Sequence, residues 1–307
     1  MSDAPAPEAS SRGLDAVAVR SALRRLAREA EPPWLHREVA RRMAERLAII
    51  RLRPATLIDW WGWLGAGGEL LDEAYPQAQR IVVEPDEALR LRSEAANHRP
   101  WWSARRWQSP VPRVITEGDP LPASAQFVWA NMMLHAVADP PALFARWQHS
   151  LDVDGFVMFS CLGPGTLREL RALHERLGWG AATPTFVDMH DLGDMLVHAG
   201  FADPVMDQEV ITLQWRDAES LLAELRSLGA NASPRRHAGL RTPRWRARLL
   251  SELNALADAQ GRISMSFEVA YGHAFRAAPR ARVSDVTSVP LDDMRALIRG
   301  RNDKPVR

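Results

Sequence analysis

The sequence is poor in several reactive residue types, since it holds one cysteine, Cys161, one lysine, Lys304, and two tyrosines. A single cysteine excludes an internal disulfide and a cysteine-built zinc site, which suits a reducing compartment. A single lysine near the C-terminus argues against Schiff-base chemistry. There is also no uncharged apolar run long enough to cross a bilayer and no apolar signal core, so we expect a cytoplasmic protein.

The charged residues nearly cancel, because 39 lysines and arginines stand against 38 aspartates and glutamates, for a net charge of +1. This balance predicts no general attraction to nucleic acid or to an anionic membrane. The histidines lack the spacing with a carboxylate that is typical of a metal site, so no metal site is expected. Over the 307 residues, the unusual feature that remains is a set of 12 tryptophans.

Short apolar segments alternate with longer amphipathic ones through most of the chain. Helices are expected over residues 14–30 and 35–47, and later over 69–74, 86–96, 140–151, 165–178, 188–199, 218–228 and 244–258. Strands are expected over residues 55–60, 80–83, 125–130, 155–160, 206–215 and 265–275, with a long loop over 98–122. The alternation predicts a mostly parallel sheet with helices on both faces, which binds ligands beyond the carboxyl ends of its strands.

The composition at the two ends of the chain predicts little order there. Residues 1–13 are rich in Ala, Pro and Ser and are expected to be disordered, and residues 279–307 are expected to form a mobile tail. Between them, residues 14–278 are expected to form one domain. Its core would span about 34–162 and its substrate or cap elements about 163–262.

A glycine-rich stretch, GWLGAGG, follows the first predicted strand, which ends near Asp59. Glycines at this junction of an α/β sheet let backbone amides approach a ligand and begin a helix that points at it. Glu84 ends the second predicted strand, where a carboxylate can accept two hydrogen bonds from a ribose diol. Alternatively, Glu84 is an ordinary surface carboxylate at a strand end.

Three segments give the chain a family resemblance: FSCLGPGTLRELR (159–171), ITLQWRDAESLLAELRSLGAN (211–231) and QGRISMSFEVAYGHAFR (260–276). They resemble the malonyl-[acyl-carrier protein] O-methyltransferases of biotin synthesis, over about residues 34–276. The resemblance implies a Rossmann-like methyltransferase fold. This is a mostly parallel seven-strand sheet with helices on both faces, N-terminal helices and a helical C-terminal insertion.

The resemblance also implies S-adenosylmethionine as the cofactor and methyl donor. The positions it assigns to cofactor binding are Asp59, Gly62, Gly65, Gly67, Glu84, Pro85, Glu117 and Asn131. In an ungapped register, however, Trp61 and Trp63 stand on the first two glycines of the family's loop. A tryptophan side chain cannot share space with a cofactor that touches the backbone. Either the loop is offset, or the pocket is rebuilt and cofactor binding is lost.

The function implied by the resemblance is methylation of the free carboxylate of a malonyl group on acyl carrier protein. An anionic oxygen needs no general base, so alignment and exclusion of water would suffice, and no catalytic residue is assigned. An arginine would hold the carboxylate, and the arginines between Arg235 and Arg248 would face the acidic carrier protein or simply solvent. A non-catalytic protein that binds an acyl carrier or protein partner is the alternative, and a modifier of protein side chains is a third reading.

Overall fold

A seven-stranded sheet runs through the part of the chain that the computed structural model describes, residues 13–98 and 110–278. Its strands are β1 (Thr56–Trp60), β2 (Gln79–Glu84), β3 (Arg113–Thr116), β4 (Ala125–Ala130), β5 (Leu151–Leu162), β6 (Phe201–Trp215) and β7 (Ile263–Arg276). They lie in the order β3-β2-β1-β4-β5-β7-β6. Strands β1 to β5 run parallel to one another, whereas β7 runs antiparallel to β5 and β6.

Helices cover both faces of this sheet. They are α1 (Ala16–Leu26), α2 (Trp34–Glu45), α3 (Gly62–Gly65), α4 (Gly68–Ala74), α5 (Glu87–Asn97), α6 (Pro140–Ser150), α7 (Arg168–Arg176), α8 (Met189–His198), α9 (Ala218–Ser227) and α10 (Pro243–Asn254). Several begin at an aspartate whose side chain accepts a hydrogen bond from a backbone amide in the first turn, as Asp86 does before α5 and Asp139 does before α6.

The core lies in two layers, one on each face of the sheet. Along β4, Phe127 and Trp129 pack into the cluster that includes α2, α9 and α10, and Val128 between them packs into the cluster that includes α6 and α8. Alternation of this kind follows from the two-residue period of a strand whose two faces are both buried. The fold class expected from the sequence is therefore confirmed.

The prediction of a loop over residues 98–122 is wrong for Arg113–Thr116, which form strand β3. Residues 99–109 are outside the described ranges, as are the expected disordered residues 1–12 and tail 279–307. The described residues up to 276 belong to one compact unit, and residues 277 and 278 fall in a second. Among the described helices, none is both long and apolar enough to span a membrane.

Candidate functional site

The strand order reverses between β1 and β4, so a crevice opens beyond their carboxyl ends, where sheets of this kind bind ligands. The three predicted glycines lie in the loop that follows β1. A Cβ on Gly62 would lie 2.7 Å from an Asp59 oxygen, and one on Gly67 would lie 2.5 Å from the indole nitrogen of Trp129. Gly65 faces the Asn131 carbonyl oxygen, 3.5 Å from where its Cβ would be. Two of these glycines are thus required by the packing of the protein itself.

Asp59, near the end of β1, is fully buried and paired within the protein. Its Oδ2 accepts a hydrogen bond of 3.1 Å from the guanidinium of Arg80 on β2. Burial raises the pKa of Asp59, and the charge of Arg80 opposes that rise. This carboxylate therefore ties β1 to β2.

Glu84, at the end of β2, has none of its surface exposed. Its Oε1 accepts hydrogen bonds from the Trp63 backbone N–H at 2.7 Å and from the Ser93 hydroxyl, while Oε2 has no hydrogen-bond partner among the described residues. Burial raises the pKa of Glu84 to about 8, against the effect of those two donors. The next residue, Pro85, is half-buried.

Glu117 lies after β3 and is held by two tryptophans. Its Oε1 accepts a hydrogen bond of 2.6 Å from the indole N–H of Trp61 and one of 3.1 Å from that of Trp60. Trp60 is wholly buried and packs edge-on against Trp147, whereas Trp61 lies in the loop with 5% of its surface exposed. One oxygen of this predicted ligand-binding acid is therefore already engaged within the chain.

Asn131, after β4, is fully buried and uses both ends of its amide. Its Nδ2 donates to the carbonyl oxygens of His36 at 2.8 Å and Gly65 at 2.6 Å, and its Oδ1 accepts from the Ser160 hydroxyl at 2.6 Å. Three elements, α2, α3 and β5, are joined by this one side chain. The predicted site residues thus gather around the crevice, although most of their polar atoms are engaged in the protein.

Two cavities open beside these residues. One, of 380 Å³, has a mostly apolar wall that draws on α1, α2, the loop after β1 and the segment that follows α9. The other, of 300 Å³, contains Glu117 and Arg146 in its wall. Both are lined by Trp61, together with Val19, Leu23 and Ala136, so the two cavities are neighbours that share these four residues.

Two histidines in the wall of the larger cavity were not predicted as site residues. His36 on α2 places Nδ1 2.9 Å from the Leu64 carbonyl oxygen, and burial lowers the pKa of His36 to about 4, so the ring is neutral at physiological pH. His135 accepts a hydrogen bond of 3.4 Å at Nδ1 from the Leu162 amide. The sequence carries no signal for His36, because only the fold brings α2 to the crevice.

Arg25 and Arg226 bring charge to the wall of this cavity. Arg25 is half-buried, and its Nη2 donates to the backbone carbonyls of Arg226 and Gly229. Among the described residues, no carboxylate lies within ion-pair distance of Arg25. Arg226, by contrast, is exposed. Over the same described ranges, no group of three or more His, Cys, Asp and Glu is placed to hold a metal ion.

The sheet order and the crevice place the protein in the class of Rossmann-like methyltransferase folds. The YcgJ protein from Bacillus subtilis has a TM-score of 0.52 at 12% identity, covering 79% of this chain and 99% of its own. A proposed methyltransferase from Bacillus halodurans also has a TM-score of 0.52, at 10% identity, covering 78% of this chain and 100% of its own. At these identities the similarity shows the fold alone.

Sequence comparison resolves the class further. The chain is 38% identical over 272 residues to the malonyl-[acyl-carrier protein] O-methyltransferase of Gallionella capsiferriformans, covering 87% of this chain and 93% of the relative. The enzyme of the same name from Laribacter hongkongensis is also 38% identical, over 86% of this chain and 88% of the relative. No family model matches the chain. On the identities to these relatives, the chain belongs to the malonyl-[acyl-carrier protein] O-methyltransferase family.

The resemblance implies S-adenosylmethionine, but the residues do not fit that molecule in the conformation described. Glu84 offers no exposed edge to a ribose, and Glu117 already accepts two indole N–H groups. Trp61 is one of four residues that line both cavities, and only the smaller cavity has Glu117 in its wall. At the nucleoside end of the expected site, the chain itself therefore covers Glu84 and engages one oxygen of Glu117.

Proposed function

We propose that this protein is an O-methyltransferase that methylates the free carboxylate of a malonyl group carried on acyl carrier protein, with S-adenosylmethionine as the methyl donor. The observation that carries the proposal is the 38% identity over 272 residues to a relative of that name, which spans 93% of the relative. A seven-stranded methyltransferase sheet with a cavity at the carboxyl edge supports it. A role in biotin synthesis is implied by the resemblance and stays a prediction.

The larger cavity suits a short acyl group on a thioester. Its volume of 380 Å³ and mostly apolar wall would exclude water from a carboxylate that acts as the nucleophile. That carboxylate is ionised at neutral pH, so the reaction needs no base from the protein. The neutral ring of His36 in the wall adds no competing charge.

Arg25 is the residue we assign to the malonyl carboxylate. Its Nη2 is anchored on two carbonyls, and the guanidinium has further N–H groups that can donate to a carboxylate. A half-buried cation in an apolar wall is poorly hydrated, and a carboxylate would neutralise it. Arg226 lies in the same wall but is exposed, so we give it no such role.

A basic surface between Ser233 and Glu252 suits an acidic carrier protein. Arg236 is paired with Asp15 at 2.7 Å, whereas Arg235 and Arg244 are exposed and have no ion-pair partner among the described residues. This surface follows directly, in sequence, the segment 225–232 that lines the larger cavity. A carrier protein docked there could place its thioester arm at the cavity.

The direct test uses the purified chain, malonyl-acyl carrier protein and S-adenosylmethionine labelled in its methyl group. We expect label in a methyl ester of the malonyl group, detected by mass spectrometry, and no label in acetyl-acyl carrier protein, which lacks the free carboxylate. Absence of the ester at millimolar cofactor, with a folded protein and an active enzyme of the same name as reference, would overturn the proposal.

A further inference from the structure

The family resemblance implies that Glu117 lies beside the adenine of the cofactor, and Trp61 makes with Glu117 the kind of contact that the exocyclic amine of this purine would make. An indole nitrogen can only donate, and here it donates to Oε1 at 2.6 Å from a side chain that is 5% exposed. Trp60 donates to the same oxygen from a fully buried position in the core. Oε1 of Glu117 thus already accepts from a donor, which is the hydrogen-bonding sense of the ligand group expected there.

The backbone at Trp61 has a conformation that glycine adopts most readily. Its φ of 54° and ψ of 47° lie in the left-handed region, which costs a residue with a Cβ roughly 1–2 kcal/mol. Its amide N–H donates at 2.6 Å to the carbonyl of Val83 on β2, which fixes the start of the loop. The loop therefore keeps a glycine-like path while a tryptophan side chain lies in the crevice.

The same loop also covers Glu84, the second acid among the predicted site residues. The Trp63 backbone N–H donates to Glu84 Oε1, and Glu84 Oε2 is left buried without a hydrogen-bond partner among the described residues. A buried polar atom with no partner is costly, so a ligand hydroxyl that reached it would be favoured. Glu84 consequently has the chemistry to bind a diol but no open path to one.

We propose that the Trp61 indole is an internal occupant of the nucleoside end of the site, and that cofactor binds only when this indole leaves Glu117. The choice of S-adenosylmethionine as the competing ligand rests on the proposed function. Trp61 lines both cavities, of 380 and 300 Å³, so the departure of its side chain would enlarge the space beside Glu117.

Three variants test this. Trp61→Gly removes the indole at a backbone position that suits glycine, and we expect it to bind S-adenosylmethionine at least tenfold more tightly than wild type by calorimetry. Trp61→Phe removes the N–H but keeps a ring, and should give a smaller gain. Trp60→Phe is the matched control: it deletes the other N–H on Glu117 without opening the crevice, and should change affinity less than threefold. Equal affinity in wild type and a folded Trp61→Gly variant would overturn the proposal.

A measurement on the wild-type protein covers the case in which the glycine variant does not fold. The indole N–H signal of Trp61, assigned by its loss in Trp61→Phe, should shift and exchange faster with solvent as cofactor saturates the protein. A signal that stays unchanged at saturation would contradict the proposal. If Trp61→Gly gains affinity and yet no malonyl ester forms, the proposed function fails and the internal occupant stands. If wild type forms the malonyl ester and Trp61→Gly shows no gain in affinity, the proposed function stands and the internal occupant fails.

Discussion

Arg80 and Asp59 join neighbouring strands β2 and β1 by an ion pair of 3.1 Å in which both side chains are almost completely buried. Directly beyond them, the chain enters the loop that carries the tryptophans. The pair therefore fixes the base of the crevice, and a buried charge is tolerated there because it has an opposite charge beside it.

Replacing one partner of this pair should destabilise the fold strongly. Arg80→Met leaves the Asp59 carboxylate buried and unpaired, which we expect to cost about 3–5 kcal/mol in the free energy of unfolding measured in urea. The double variant Asp59→Asn, Arg80→Met should recover part of that loss. Arg41→Met is the control, because Arg41 pairs with Glu38 and Glu45 on the surface and should cost less than about 1 kcal/mol. Similar losses for Arg80 and Arg41 would contradict this account.

Glu84 should make stability depend on pH. Its pKa is raised in the folded state from 4.5 to about 8, so between those values the folded protein holds a proton that the unfolded chain has lost. Stability then falls as pH rises through this window, by up to about 1.4 kcal/mol per pH unit, and levels off above it. Thermal melts from pH 4.5 to 9 should show this slope in wild type and a flatter one in Glu84→Gln. Parallel curves would show that Glu84 does not titrate in this range.

Arg25 should decide whether a free carboxylate is recognised. Arg25→Leu removes a charge-assisted contact worth about 1.5–3 kcal/mol, so we expect the KM for malonyl-acyl carrier protein to rise by roughly 10- to 150-fold. Arg25→Lys should recover part of the effect. Binding of an acetyl thioester, which has no carboxylate, should be unaffected, and Arg226→Leu is the control from the same cavity wall. Equal losses for the malonyl and acetyl thioesters would point to a disturbed cavity instead.

Substitution of the exposed arginines of the basic surface should weaken the reaction with the carrier protein and not the reaction with a small thioester. The double variant Arg235→Glu, Arg244→Glu should raise the KM for malonyl-acyl carrier protein and leave that for malonyl-pantetheine unchanged, because only the protein substrate carries the acidic surface. The difference should shrink as ionic strength rises. Arg51→Glu is the control, because Arg51 is an exposed arginine that precedes β1 and lies outside the basic surface in sequence. A loss of activity toward both substrates would exclude this surface as a specific docking site.

The sequence predicted the sheet well where strands are apolar on both faces and poorly where they are short. The expected strand 125–130 has the observed bounds of β4, since AQFVWA packs into both core layers. β3 was missed because its RVIT segment has only four residues, with an exposed first residue, and lies in a proline-containing stretch. Periodicity gives no warning of so short a strand.

The sequence predicted the location of the candidate site better than it predicted the contacts within the site. The positions of Asp59 and Glu84 at the crevice follow from strand ends, which are local features of the sequence, whereas Glu117 was assigned by the family resemblance alone because β3 was not predicted. The hydrogen bond between Trp61 and Glu117 joins residues that are 56 apart in the chain, and depends on a side-chain orientation that no pattern encodes. His36 lies in the cavity wall for the same non-local reason.

The left-handed backbone at Trp61 also affects the energetics of opening the loop. A tryptophan held at positive φ is in a higher-energy conformation than the same residue in the right-handed or extended regions, by roughly 1–2 kcal/mol. If Trp61 returns to one of those regions when its indole leaves Glu117, that energy is recovered and offsets part of the cost of the broken hydrogen bond. The conformational strain at Trp61 therefore lowers the net free-energy cost of opening the loop.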